Sequence, residues 1–415
     1  MSALTWIAIA SLAAWAWLLL GQGWFWRTDV RLPPYRAEGE GPWPTVAVVV
    51  PARDEAEVLP MSLPSLLEQD YPGQAVVFLV DDGSSDGTAD RARALADDSK
   101  GLPLVIASPG EPEPGWTGKL WAVRHGIELA RAQVEPEYLL LTDADIAHEP
   151  DSLRALVCAA RAADLDLVSQ MARLRVHTAW ERLIVPAFVY FFAQLYPFRW
   201  VNRPGARAAA AAGGCVLLRT EAAERARVPE SIRQSVIDDV ALARAVKRAG
   251  RPAAERAGAG RGSVAAGRGR RAGGGRIWLG LAERVDSVRP YPHLRELWQM
   301  VARSAYAQLR HNPLLLLGTV LGLAVIYLAP PVAVCVGALQ GERTTWLVGA
   351  VTWAVLAGSY LPMLRYYRQP AWLAPLLPLI ALLYLLMTVD SAVQHYRGRG
   401  AAWKGRTYTR PEAAP

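Results

Sequence analysis

"YLLLTDADIAHEPDSLRALVCAARAA", Tyr138 to Ala163, places three leucines and a threonine before two aspartates, then turns to a helical pattern. The leucines run on without polar interruption, as in a strand covered on both faces. Two carboxylates one residue apart repel each other and resist burial. They belong past the strand's end, next to something positive. The stretch therefore reads as strand, acidic loop, and helix from Asp151 to Ala163.

The same unit repeats on both sides. "TVAVVVP" (Thr45–Pro51) reads as a buried strand and "EVLPMSLPSLLEQD" as a helix despite its prolines. "AVVFLVDD" (Ala75–Asp82) predicts a second strand, with a helix over Asp86–Ala96. "LPLVIA" is a third strand, Lys119–Ala132 a helix, and "DLVSQMAR" a fifth strand after Tyr138's. Strands alternating with helices predict an α/β fold with a doubly wound, mostly parallel sheet. Ligands in such sheets sit at the carboxyl ends of the strands. Polar residues gather there: Pro51, Arg53, Asp54 and Glu55 after the first strand, Asp81 and Asp82 at the second, Asp143 and Asp145 at the fourth. Asp86 and Asp151 are read as helix caps.

The chain has 415 residues, 52% of them hydrophobic, and a net charge of +7. The apolar excess collects at the ends. "LTWIAIASLAAWAWLLLGQGWFW" (Leu4–Trp26) is long enough to cross a bilayer as a helix. It lacks the basic start and clear small-residue cleavage site of a signal peptide, so a retained anchor is expected. Arg27, Arg31 and Arg36 follow it, which predicts a cytoplasmic middle domain. Leu314–Leu339, Thr345–Leu364 and Ala371–Val389 are three more stretches of spanning length. Three spans would put the basic tail outside, against the positive-inside tendency, so two or three spans stay open. Basic residues beside apolar segments point to membrane lipids as partners and away from nucleic acid. Cys158, Cys215 and Cys335 lie too far apart to suggest a disulfide framework or a zinc site.

"VVVPARDEAEVLPMSLPSLLEQDYP", "VFLVDDGSSDGTAD" and "LLLTDADI", in this order and spacing, resemble the family 2 glycosyltransferases of the GT-A fold over about Val46–Leu242. "PGWTGKLWAV", "LYPFRWVN", "AAAAGGCVLLR", "IDDVALARAVK", "IWLGLAERV" and "ARSAYAQLRHNP" are similar to a narrower group, the hopene-associated membrane glycosyltransferases of hopanoid gene sets. The resemblance implies a nucleotide-sugar donor, a lipid acceptor and Mg²⁺ or Mn²⁺. It implies Asp145 as metal ligand. Asp143 would hold the ribose or assist at the metal, and Asp82 the base, with Pro51, Arg53 and Glu55 nearby. Lys119 would contact the diphosphate, against a plain reading as a solvated lysine at a helix start. The resemblance implies Asp239 as general base of an inverting transfer. Asp238 stands where the family has Glu. Gly213 and Gly214 would border the acceptor. His148 is read as preceding a helix and not as a metal ligand.

The expected organisation is an anchor (1–27), a linker (28–44), a GT-A domain (45–290) with a low-complexity insert (251–276), an amphipathic interfacial segment (291–313), a transmembrane region (314–392) and a basic tail (393–415). Trp180–Trp200 reads as an interfacial helix beside a lipid acceptor or as a buried core helix. "AQLRHN" only approximates the Q-x-x-R-W signature of processive synthases, which argues against long polymers. The leading expectation is sugar transfer to a lipid hydroxyl at the inner membrane. Transfer to a polyprenyl phosphate, or a non-catalytic scaffold or lipid transporter, are the alternatives.

Overall fold

The computed structural model describes residues 2–33, 42–250 and 274–398, with the backbone of 402–403 and 406–407. The insert expected at 251–276 falls outside these except for its last three residues. So do 34–41 of the linker and most of the basic tail. The chain divides into two compact units. A helical unit holds Met1–Asp29, Arg175–Arg199 and Pro290–Ala402. An α/β unit holds Val30–Leu174 and Trp200–Arg289.

In chain order, α1 (Ala3–Gly21) is followed by β1 (Val46–Ala52), α2 (Leu59–Leu67), β2 (Ala75–Asp81), α3 (Thr88–Asp97) and β3 (Leu104–Ala107). Next come α4 (Gly118–Val134), β4 (Tyr138–Thr142), β5 (Ile146–His148), α5 (Ser152–Ala162), β6 (Leu167–Leu174) and α6 (Ala179–Leu195). A single turn, α7 (Phe198–Val201), leads to β7 (Cys215–Arg219), α8 (Thr220–Arg225), α9 (Asp238–Ala249), β8 (Ile277–Ser287) and α10 (Leu294–Gln308). The last helices are α11 (Pro313–Gln340), α12 (Arg343–Tyr366) and α13 (Leu377–Tyr396).

The α/β unit carries one eight-stranded sheet in the order β3-β2-β1-β4-β7-β6-β8-β5. β1 pairs in parallel with β2 and β4, β2 with β3, and β6 with β8. The expected mostly parallel sheet is present, and the five strands read from the sequence are all in it. β7 runs antiparallel to β4 and β6, and β5 antiparallel to β8. The sequence pattern does not mark these antiparallel strands or β8, which are very short or lie beyond the regular strand–helix alternation. All seven residues of β1 are buried, as are the five of β4. Each such Val or Leu contributes about 1.5–3 kcal/mol by leaving water. Gly126 lets α4 lie close on the sheet, since a Cβ there would sit 2.6 Å from Val49 Cγ1.

Among the described residues of the helical unit, four helices are long and apolar enough to cross a membrane: α1, α11, α12 and Ala371–Tyr396. All three C-terminal stretches are therefore helical over spanning lengths, although each contains an internal proline. α11 passes through "YLAPPVAV" with one π-turn at Ala324–Leu328. Trp15 Nε1 donates to Ile326 O in that turn at 2.8 Å. α6 is the buried alternative of the two readings given for Trp180–Trp200. Ile184, Val185, Ala187, Val189 and Tyr190 show no exposed surface. Tyr190 shares a 2.7 Å hydrogen bond with Ser359.

Candidate active site

The loops after β1 and β2 are stitched together backbone to side chain. Asp54 N–H donates to Ser84 Oγ at 2.9 Å, and Ser85 N–H returns a bond to Asp54 Oδ1 at 2.8 Å. Glu55 N–H reaches Thr88 Oγ1 at 2.8 Å and Ala56 N–H reaches Asp86 Oδ2 at 2.9 Å. Asp86 also accepts from Thr88 N–H at 3.0 Å, but the N-cap position of α3 is Gly87, so Asp86 binds the helix's first residue from one position before the cap. Arg53 donates to Asp82 O and lies 3.5 Å from Asp82 Oδ2. Asp82 itself is buried.

Past β4 the two aspartates diverge. Asp143 O accepts from Ile146 N–H at 3.2 Å, Ala144 O from Ser62 Oγ at 2.5 Å, and Asp145 O from Val288 N–H at 2.8 Å. The fixed backbone turns the carboxylates to different partners. Asp143 meets Lys119 Nζ at 2.8 Å. Asp145 meets Arg289 Nε at 2.7 Å. Arg289 extends its other nitrogen to both oxygens of Glu55, at 2.8 and 2.6 Å. So the positive neighbours that the paired aspartates require are a lysine and an arginine. Arg289 was not anticipated. It lies two residues past β8, outside every quoted motif, and only the sheet brings β8 beside β5.

Lys119 sits in the first turn of α4, where a cation opposes the helix dipole. Thr117 caps that helix by accepting from Leu120 N–H at 3.3 Å. Lys119 is held there by a second carboxylate, Asp238, at 3.1 Å. Burial works against the ammonium, but Asp143 and Asp238 outweigh it and keep its pKa above the ordinary lysine range. Asp238 and Asp239 open α9, where two acids complement the dipole. Asp239 Oδ2 accepts from Gly213 N–H at 3.1 Å and Oδ1 from Val240 N–H at 2.7 Å. Burial, and after it the neighbouring Asp238, push the Asp239 carboxyl up to about 7.

These residues share one cleft. Lys119, Asp143, Asp238 and Asp239 are its charged lining, beside Pro51 and Gly213, and Val228, Ile232 and Leu242 are among its apolar lining. Gly213's missing side chain leaves room beside Asp239 and Lys119. A Cβ would sit 3.5 Å from Asp239 Cβ and 3.7 Å from Lys119 Nζ. Gly214 faces away, toward Ile146 and Ala172. Glu55, Asp145 and Arg289 form a separate cluster, and Arg53 with Asp82 a third.

His148 precedes α5 as read, whereas Asp151 takes a different partner from the one expected. His148 is buried among hydroxyls, with Nε2 3.0 Å from Thr142 Oγ1 and Nδ1 3.2 Å from Ser152 Oγ. Burial lowers its pKa to about 4, so it is neutral. Asp151 occupies the N-cap position of α5, but its carboxylate accepts from Arg284 Nε at 3.0 Å and not from the helix. The cap reading of Asp151 is corrected, because a charged partner outcompetes a backbone N–H.

Mg²⁺ or Mn²⁺ takes oxygen donors and commonly completes its shell with phosphates and water around one or two carboxylates. Asp143 and Asp145 supply such donors. Among the described residues no three His, Cys, Asp or Glu side chains gather to hold a metal by themselves. The donor set fits a cation that arrives with a diphosphate.

Residues 44–260, just over half of the chain, match the family described as glycosyltransferase like family 2. An undecaprenyl-phosphate mannosyltransferase of Micrococcus luteus is 32% identical over 127 residues, 30% of this chain and 48% of that protein. An N-acetylglucosaminyltransferase of Rhizobium leguminosarum bv. viciae is 32% identical over 133 residues, 31% of this chain and 28% of that protein. The matched regions thus span about half or less of these relatives. The solved mannosyltransferase PcManGT from Pyrobaculum calidifontis, in complex with GDP-Man and Mn²⁺, superposes with a TM-score of 0.52. It is 20% identical, and the match covers 94% of this chain and 99% of that one, which shows a shared fold.

Proposed function

The chain belongs to glycosyltransferase family 2, and from that premise we propose that it is an inverting, Mg²⁺- or Mn²⁺-dependent membrane glycosyltransferase. It moves one sugar from a nucleotide-sugar to a lipid hydroxyl at the cytoplasmic face of the inner membrane. A hopanoid is the acceptor implied by the motif resemblance. The observation that carries the reading is the Lys119 bridge between Asp143 and Asp238. It gathers the end of β4 and the start of α9 into one cleft.

In this reading Asp239 takes the proton as the acceptor oxygen bonds to the sugar's anomeric carbon, while the bond to the nucleoside diphosphate breaks. A carboxyl raised to about 7 is poised for that transfer near neutral pH. Lys119 contacts the diphosphate, Arg53 and Asp82 hold the nucleoside end, and Pro51 and Glu55 shape its loop. Asp145, with Asp143 beside it, would hold the cation, which when bound offsets the charge growing on the departing diphosphate.

The cleft's lining favours a hydroxyl over a phosphate acceptor. It holds three carboxylates to one ammonium, and the rest of the lining is largely apolar. A neutral hydroxyl on an apolar body suits that wall better than a phosphate does. The Micrococcus relative, by its name, uses undecaprenyl phosphate, and an anionic acceptor needs no base. Asp239→Asn separates the two. We expect transfer to fall about 10²–10⁴-fold. Membranes containing the protein, given labelled nucleotide-sugars, would show the product by mass spectrometry. A labelled polyprenyl phosphate, with near-normal transfer by the variant, would overturn the hydroxyl reading.

A further inference from the structure

We infer that Arg289 is a surrogate cation at Asp145: its guanidinium occupies the carboxylate until a divalent ion arrives together with a diphosphate, so nucleotide-free protein resists the metal. The inference rests on the reading of Asp145 as the cation's ligand.

Glu55 and Asp145 lie on separate loops, and both are largely buried. Each would be unstable as an unpaired carboxylate in that setting. One guanidinium serves both, with Nε donating to Asp145 and Nη2 shared between the two oxygens of Glu55. The neighbouring Asp143 is similarly taken by Lys119. Both aspartates past β4 thus already have a monovalent partner. A bare divalent ion must either displace Arg289 from Asp145 Oδ2 or sit on the same carboxylate beside its positive charge. A diphosphate changes that balance, because it brings negative charge for both the ion and the released guanidinium. Arg289 stays tethered by Glu55, and its fork geometry suits phosphate oxygens. Metal and nucleotide binding are then coupled through one side chain.

Mn²⁺ titration of the full-length protein in detergent, followed by the free-ion EPR signal, tests this without turnover. Wild type should bind Mn²⁺ weakly alone and at least about tenfold more tightly with GDP or UDP. Arg289→Gln should bind nucleotide-free Mn²⁺ at least about tenfold more tightly than wild type, with little further gain from nucleotide. Arg289→Lys keeps the charge and should stay within about threefold of wild type. Glu55→Gln should also tighten nucleotide-free binding, by loosening the arginine's second anchor. If Arg289→Gln fails to fold, Glu55→Gln and the wild-type nucleotide dependence still decide. Weaker Mn²⁺ binding by Glu55→Gln would overturn the inference, making Glu55 itself a metal ligand. So would unchanged binding by a well-folded Arg289→Gln, or wild-type binding as tight without nucleotide as with it. Absence of sugar transfer alongside the expected Mn²⁺ pattern would overturn the functional reading and leave this inference standing.

Discussion

Asp239 is a carboxyl that the fold makes less acidic, and that has two consequences of opposite sign for activity and stability. For activity, the base must be ionised. kcat/KM is expected to rise with pH through about 7 and to lose that limb in Asp239→Asn, as a pH–rate profile would show. For stability, the unfolded carboxyl ionises near its ordinary 3.8, whereas the folded one holds its proton to about 7. Between these values the native state binds more protons, so stability falls as pH rises across this window. Melting temperatures of wild type should drop from pH 4 to 7 more steeply than those of Asp239→Asn. Lys119 holds the same site together by charge. Lys119→Met removes the cation between Asp143 and Asp238 and leaves like charges facing each other. It should cost about 1–3 kcal/mol of stability by thermal denaturation, together with most donor binding by calorimetry.

At the scale of elements, two packing devices set where the site residues stand. The first is Gly126, under which Val49 and Val80 pack. Gly126→Ala gains up to about 1 kcal/mol of helix propensity. It also presses a methyl 2.6 Å from Val49 Cγ1 in the core, and overpacking of that kind costs about 1–3 kcal/mol. The expected net effect is a lower melting temperature and a displaced Lys119, with donor affinity falling more than folding does. The second is Lys247, near the end of α9. Its ammonium donates to Val201 O at 2.8 Å, Ala208 O at 2.7 Å and Arg203 O at 3.2 Å. The chain that these bonds hold runs on to Gly213, which bonds Asp239 at the other end of the same helix. Lys247→Met keeps the apolar stem but strands those carbonyls. We expect a loss of about 1–3 kcal/mol, read by denaturant titration.

For the whole molecule, four helices of spanning length and composition predict a chain that stays with membranes through an alkaline carbonate wash and leaves only with detergent. Release by the wash would argue that these helices pack among themselves without crossing. The strands β1, β2, β3, β4 and β6 are legible in the sequence, and so are the apolar helices. Their signal is local: continuous Val and Leu runs, or about twenty apolar residues, mean burial wherever they occur. The residue types at the strand ends are legible for the same reason, since charged side chains collect where buried strands emerge. β5 is not legible because three residues carry too little pattern, and β7 because it follows an Ala/Gly run outside the regular strand–helix alternation. What the sequence by itself determined is thus the fold class, the sheet's acidic edge and the membrane-length helices, each a property of a short window. Tertiary structure alone decided which charge meets which. Lys119 joins Asp143 to Asp238. Arg289 joins Glu55 to Asp145, across 234 and 144 residues of chain. Ion pairing depends on distance in space, and that distance is fixed only when β8 is laid into the sheet and α4 settles onto β1.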